Sequence, residues 1–118
     1  MKKCEFRKML LFLGKKYSLT LLYVMSDEPI RYNQLFSLFK SNINPTLLSR
    51  RLKTMQELRL IKRIIVDNTV FYVQTKNAKS LKNTLDLLKK LMAQENYFVP
   101  AICRNVNSRC TCDLLKKA

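Results

Sequence analysis

Histidine and tryptophan are absent from this 118-residue chain, glycine occurs once and proline three times. Without histidine the commonest general base and the imidazole metal ligand are missing. The chain holds no glycine-rich phosphate loop, and its carboxylates are scattered rather than paired. A cysteine nucleophile without a histidine partner is poorly equipped for hydrolysis. Together these absences argue against an enzyme, and no cofactor is expected. So little glycine and proline also argues against linkers and repeated tight turns, which leaves helix as the dominant structure. No apolar run approaches the ~20 residues that span a bilayer. The longest mostly apolar stretch, Leu10 to Leu13, is stopped by Gly14-Lys15-Lys16. The basic start Met1-Lys2-Lys3 meets Glu5, Arg7 and Lys8, which interrupt any signal-peptide core. A cytoplasmic protein with no membrane partner is expected.

Acid is scarce as well. Eight Asp and Glu stand against twenty-three Lys and Arg, a formal charge of +15. A charge this large on a small body repels itself unless a polyanion is near. Nucleic acid is the commonest such partner and an anionic membrane surface the next. Apolar residues make up 47% of the chain, enough for one core, so one domain over residues 1–118 is expected.

Along the chain, Phe6, Met9, Leu10 and Leu13 fall at i, i+3, i+4 and i+7, the stripe of an amphipathic helix that Gly14 bends or ends. A second helix is predicted from about Tyr17 to Met25, stopped by Asp27-Glu28-Pro29, and Ile30-Arg31-Tyr32 reads as short and extended. Leu35, Phe36, Leu38 and Phe39 predict a helix of about two turns. Asn44 then caps, and Pro45 opens, a helix running to about Leu58 or Arg59. Its Leu48, Leu52 and Met55 face a core, and Thr46, Ser49, Arg50 and Lys53 lie opposite. Leu60 to Val66 and Thr69 to Thr75 read as strands about the turn Asp67-Asn68. A last helix, about Asn77 to Asn96, carries Leu81, Leu85, Leu88 and Met92 on one stripe.

Helix, short helix, tight turn, capped helix and β-hairpin is the order of a winged helix-turn-helix, mainly α with a small hairpin. An α-helix fits the roughly 12 Å major groove, and its N-terminal residues reach base edges. Arg50 suits guanine edges or phosphate, and Thr46 and Ser49 suit phosphate or a thymine methyl.

The chain resembles the HxlR-type family of winged-helix transcriptional regulators over about Cys4 to Met92. Cys4 lies ten residues before Gly14, and Gly14-Lys15-Lys16-Tyr17 stands where the family has a Gly-Gly-Lys-Trp-like element. Leu21-Leu22-Tyr23-Val24-Met25 continues the helix, and Pro29-Ile30-Arg31-Tyr32-Asn33-Gln34-Leu35 is similar to Pro-Leu-Arg-Phe-x-Glu-Leu. Ile43-Asn44-Pro45-Thr46-Leu47-Leu48-Ser49-Arg50-Arg51-Leu52-Lys53 resembles the recognition segment, and Leu60-Ile61-Lys62-Arg63 follows as in the family. The resemblance implies sequence-specific binding of double-stranded DNA by a homodimer. Its terminal segments, 1–16 and 77–118, would carry the dimerisation helices, and half-sites would lie about 34 Å apart. It adds Arg31, Tyr32 and Asn33, and Asn44 and Leu47 of the recognition segment, to the candidate DNA contacts. The chain departs from the family at Arg59, where a glycine is usual, and at a short hairpin tipped by Asp67 rather than a basic residue. The hairpin is therefore expected to add little DNA affinity.

Cys4, Cys103, Cys110 and Cys112 sit at the two ends of the chain. Some members of the resembled family sense oxidants through an N-terminal cysteine and a C-terminal partner, which implies Cys4 as the reactive thiol and Cys103 or Cys110 as its partner. Structural disulfides or bystander thiols are a second reading. A zinc site is a third, although Cys110-x-Cys112 is not the usual spacing for zinc and no metal is expected. For the chain as a whole, the alternatives are an architectural DNA binder or a basic interaction module. The module would use the Leu81/Leu85/Leu88/Met92 stripe with Lys82, Lys89 and Lys90.

Overall fold

The computed structural model describes residues 4–39 and 42–99, so Cys103, Cys110 and Cys112 lie outside the described residues. The elements run α1 (Glu5–Leu13), α2 (Ser18–Val24), β1 (Ile30–Arg31), α3 (Tyr32–Leu38), α4 (Pro45–Glu57), β2 (Ile61–Val66), β3 (Thr69–Gln74) and α5 (Lys76–Gln94). The expected winged helix-turn-helix order is present. One buried cluster joins the helices, built on Phe12 of α1, Leu21 and Leu22 of α2, Leu35 of α3, and Leu48 and Leu52 of α4.

At the first helix the expected amphipathic stripe is present. Phe12 is the buried side chain, with Met9 and Leu13 packed beside it, while Phe6 is 70% and Leu10 53% exposed. The apolar periodicity is real, but most of that stripe faces away from the core of its own chain. The second helix starts one residue late, because Tyr17 takes a left-handed backbone (φ 71°) at its N-cap. Its ring meets Phe39 edge-on at 5.6 Å, and its hydroxyl donates to the Asn42 carbonyl. Tyr17 thereby props the turn between α3 and α4 from beneath.

The sheet has three antiparallel strands in the order β1-β3-β2, one more than the hairpin expected. Ile30 pairs with Tyr72 and Arg31 with Phe71, while β2 and β3 pair from Ile61 with Gln74 to Val66 with Thr69. Ile30 and Arg31 are extended as expected, but two residues are too few to display strand alternation, so nothing in them marked the pairing with β3. It ends where Tyr32 turns into α3. Asp67 (φ 50°) and Asn68 (φ 64°) make the hairpin tip, both in the left-handed region that two-residue hairpin turns require.

Arg59 replaces the glycine usual after the recognition helix, yet it keeps the glycine conformation, with φ 60°. The Leu60 amide donates to the Met55 carbonyl at 2.8 Å and the Arg59 amide to that of Gln56 at 3.0 Å, the two bonds of a Schellman closure. The arginine bears left-handed strain of about 1 kcal/mol. Its exposed ion pair with Glu5, at 2.8 Å, offsets little of that. Arg59→Gly is therefore expected to stabilise the protein by about 0.5–1 kcal/mol in urea unfolding; a loss of stability would mean that the ion pair outweighs the strain.

Along α5, Ala78 is buried and Leu81 and Leu85 pack on the core, as the stripe predicts. Farther along, Leu87, Leu88 and Leu91 are at least half exposed.

Candidate nucleic-acid interface

The start of α4 is built by local chemistry. Asn44 has the extended backbone of an N-cap, and its Oδ1 accepts from the Leu47 amide at 2.7 Å. Pro45 follows at the first helical position, where a missing N–H costs nothing. Leu48, Leu52 and Met55 are almost fully buried, which fixes the roll of the helix. Thr46, Ser49, Arg50 and Lys53 are consequently all exposed along one face, at i, i+3, i+4 and i+7. Leu47 is half-buried and packs against the core edge. The carboxylate of α4 is Glu57 at its far end, where it pairs with Lys8 of α1. The outward face near Asn44 thus carries cations and hydroxyls, together with the positive end of the helix dipole.

The bracing helix is stitched to this start. Tyr32, the first residue of α3, donates its hydroxyl to the Pro45 carbonyl at 3.1 Å and receives the Ser49 hydroxyl at 3.4 Å. Its ring stacks on Phe36, 10° from parallel. Gln34 Oε1 accepts from the Arg31 amide at 3.1 Å and closes the start of α3. Arg31 and Asn33 are exposed there. The structure therefore brings Arg31, Tyr32 and Asn33 to the same end of the motif as Asn44, Thr46, Leu47, Ser49 and Arg50, with Lys53 two turns along. The Tyr32 hydroxyl and the Asn44 Oδ1 are both engaged in positioning the helices.

Arg51 was not singled out as a functional or core residue in the sequence, although it falls three residues after Leu48 on the inward stripe. It is 9% exposed, and its Nε donates to the Lys16 carbonyl at 2.8 Å. Burial first, and the adjacent Arg50 second, pull its pKa below the ordinary arginine value. It anchors α4 to the loop after α1, so that of two successive arginines one is structural and one faces solvent.

The hairpin presents Ile65, 62% exposed, and Val66, 50% exposed, beside Asp67. Such a tip is ill suited to phosphate. Cys4 is an exposed free thiol at the N-cap of α1, and its sulfur accepts from the Arg7 amide at 3.5 Å. Among the described residues there is no cluster of histidine, cysteine and acid side chains suited to a metal, and no helix long and apolar enough to cross a membrane.

Comparison with curated proteins and with solved structures found no match. The family model described as HxlR-like helix-turn-helix matches residues 12–98, which is 87 of the 118 residues and takes in α2 to α5 with the whole of the motif just described. The chain belongs to the HxlR-like helix-turn-helix family.

Proposed function

We propose that this protein is a sequence-specific regulator of transcription that binds double-stranded DNA as a homodimer. The observation that carries the reading is the exposed Thr46/Ser49/Arg50/Lys53 face on a helix whose opposite face is locked into the core. With that roll, the N-terminal half of α4 reaches base edges while the dipole and the lysine meet phosphate. Selection from a pool of random duplexes at about 0.1 M salt tests it. A two-fold-symmetric consensus is the expected result, and salt-sensitive binding without sequence preference would sink it in favour of an architectural role.

Support for the homodimer comes from apolar surface at both ends of the described chain. Phe6, Leu10 and Leu11 of α1, and Leu87, Leu88 and Leu91 of α5, are each at least half exposed. Monomeric proteins rarely leave so much apolar helix surface to water. Light scattering is expected to give twice the chain mass. Leu91→Glu, which puts a charge into that surface, is expected to give one chain and to abolish the two-fold consensus. A wild-type protein of single-chain mass would refute the dimer.

A thiol gate on DNA binding is the finer part of the proposal. Exposure of Cys4 at the very start of α1 supports it, since a disulfide there would pull on a helix proposed to join the dimer. Two thiols would pass two electrons to a mild oxidant and lose two protons. Selection repeated with oxidant is expected to lose the consensus, and Cys4→Ser to keep it; a consensus indifferent to oxidant would remove the gate and leave the regulator.

A further inference from the structure

Strand β2 is an edge of the sheet, because the order β1-β3-β2 leaves its far side without a neighbouring strand. The Thr75 amide donates to the Leu60 carbonyl at 2.9 Å, and Val66 and Thr69 flank the two-residue turn. Hydrogen-bonded and open pairs alternate along an antiparallel ladder, so Lys62, Ile64 and Val66 bond to β3. Arg63 and Ile65 therefore turn their backbone N–H and C=O groups outward. Among the described residues no backbone hydrogen bond reaches those groups. Such an edge is a template for another strand, and proteins that keep one unpaired blunt it with charge, proline or a bulge. Here Lys62 and Arg63 supply charge, but the outer half, Ile64-Ile65-Val66, is β-branched, and the ladder runs through it without a bulge.

The side chains of this edge complement a copy of themselves. Ile65 and Val66 are at least half exposed, and Asp67 is the single acid of the hairpin. Arg63 and Asp67 are both exposed, and among the described residues neither has an ion-pair partner. A second β2 laid antiparallel, about a two-fold axis through Ile65, brings the two Ile65 backbones into hydrogen-bonding register. Arg63 then meets the partner's Asp67, and Ile64 meets the partner's Val66, each contact occurring twice. Opposite charges and β-branched side chains set directly across are favourable cross-strand pairs. Charge also selects this register. Centred on Arg63, the pairing would set like charges against each other, and centred on Ile64 it would leave Asp67 opposite Ile61. The overlap is confined to Arg63–Asp67, none of which is buried in the single chain.

We infer that the outer edge of β2 is a self-association site, joining two copies of this chain through an antiparallel β2–β2 pair centred on Ile65 and held in register by Arg63 and Asp67. Two short edges bury far less than a standard interface, so the contact is weak in dilute solution and fills at high local concentration. It uses no residue of the α1 and α5 surfaces proposed for the homodimer. A protein with both contacts joins dimers in a row, so dimers side by side on one duplex would bind cooperatively. That consequence rests on the DNA reading above, whereas the contact itself does not.

The test follows amide hydrogen exchange on the full chain without DNA, at about 0.02 and about 1 mM protein. Exchange of the Arg63 and Ile65 amides is expected to slow by roughly fivefold at the higher concentration. Leu91→Glu, which disrupts the helical surface proposed for the homodimer, is expected to leave that protection in place. Arg63→Glu alone sets like charges across the pair and is expected to abolish it, as is Asp67→Lys alone. An equimolar mixture of those two variants restores opposite charges and is expected to recover the protection, which misfolded variants could not do. Exchange at Ile65 that is independent of concentration overturns the inference and leaves the edge to water or to a strand of another protein. Protection that survives either single variant, or is not recovered in the mixture, overturns it too. So does protection gained only on adding a duplex, which would make the hairpin a DNA contact.

Discussion

Leu48→Ala is expected to cost the fold about 3–5 kcal/mol. The side chain has no measurable exposure and belongs to the same buried cluster as Leu21, Leu35 and Leu52. Removing it forfeits the transfer energy of its carbons and leaves a cavity that three helices border, with little freedom to collapse. A domain of this size has about 5–15 kcal/mol in total, so the substitution removes a large share of it. Urea unfolding followed by circular dichroism measures the difference. A cost under about 1 kcal/mol would mean that the inner face of α4 is not wedged into the core, and the fixed roll of the recognition helix would fall with it.

Arg50→Ala is expected to leave stability unchanged and to weaken binding to the preferred duplex by roughly 5- to 150-fold, the worth of one good bidentate base contact. Arg50 is exposed on the face opposite Leu48 and Leu52, so truncating it disturbs no packing. Lys53→Ala, farther from the helix start, should weaken all duplexes alike and lower the slope of affinity against salt by about one. The contrast between the variants is the measurement, made by titrating the consensus duplex and a scrambled one. Equal loss on both for Arg50→Ala would reassign Arg50 to phosphate. No loss on either would remove α4 as the reading element.

The recognition helix was legible because every signal that forms it is local. Asn44 and Pro45 cap and open it, and Leu48, Leu52 and Met55 recur at helical spacing, so its inner and outer faces followed from counting residues. The same count, carried through, also places Arg51 on the inner face. What it does not supply is the acceptor, the Lys16 carbonyl thirty-five residues earlier, which decides that a buried arginine is affordable. Tyr32 is similar. The resemblance makes it a candidate DNA contact, and its hydroxyl is shared between Pro45 and Ser49 across the turn, a contact with no trace in the local pattern.

Charge balance, the dominance of helix, the capped recognition helix and the hairpin turn at Asp67-Asn68 are properties of short stretches of chain, and composition and periodicity were enough for them. Periodicity reports that a helix has an apolar face and is silent about what covers it. The stripe containing Phe6 and Leu10 accordingly marked a helix but not its cover: both side chains stand in water in the single chain, while Phe12 takes the buried place. Strand β1 was legible as a short extended stretch, but its partner lies some forty residues away and nothing in its two residues names that partner. Arg59 holds a glycine's conformation because the Met55–Leu60 and Gln56–Arg59 bonds, with Thr75 and Asn77 on its carbonyl, outweigh its own preference. Contacts between distant segments set these outcomes, since burial and hydrogen bonding across the fold exceed the roughly 1 kcal/mol or less by which a residue's local preference resists them.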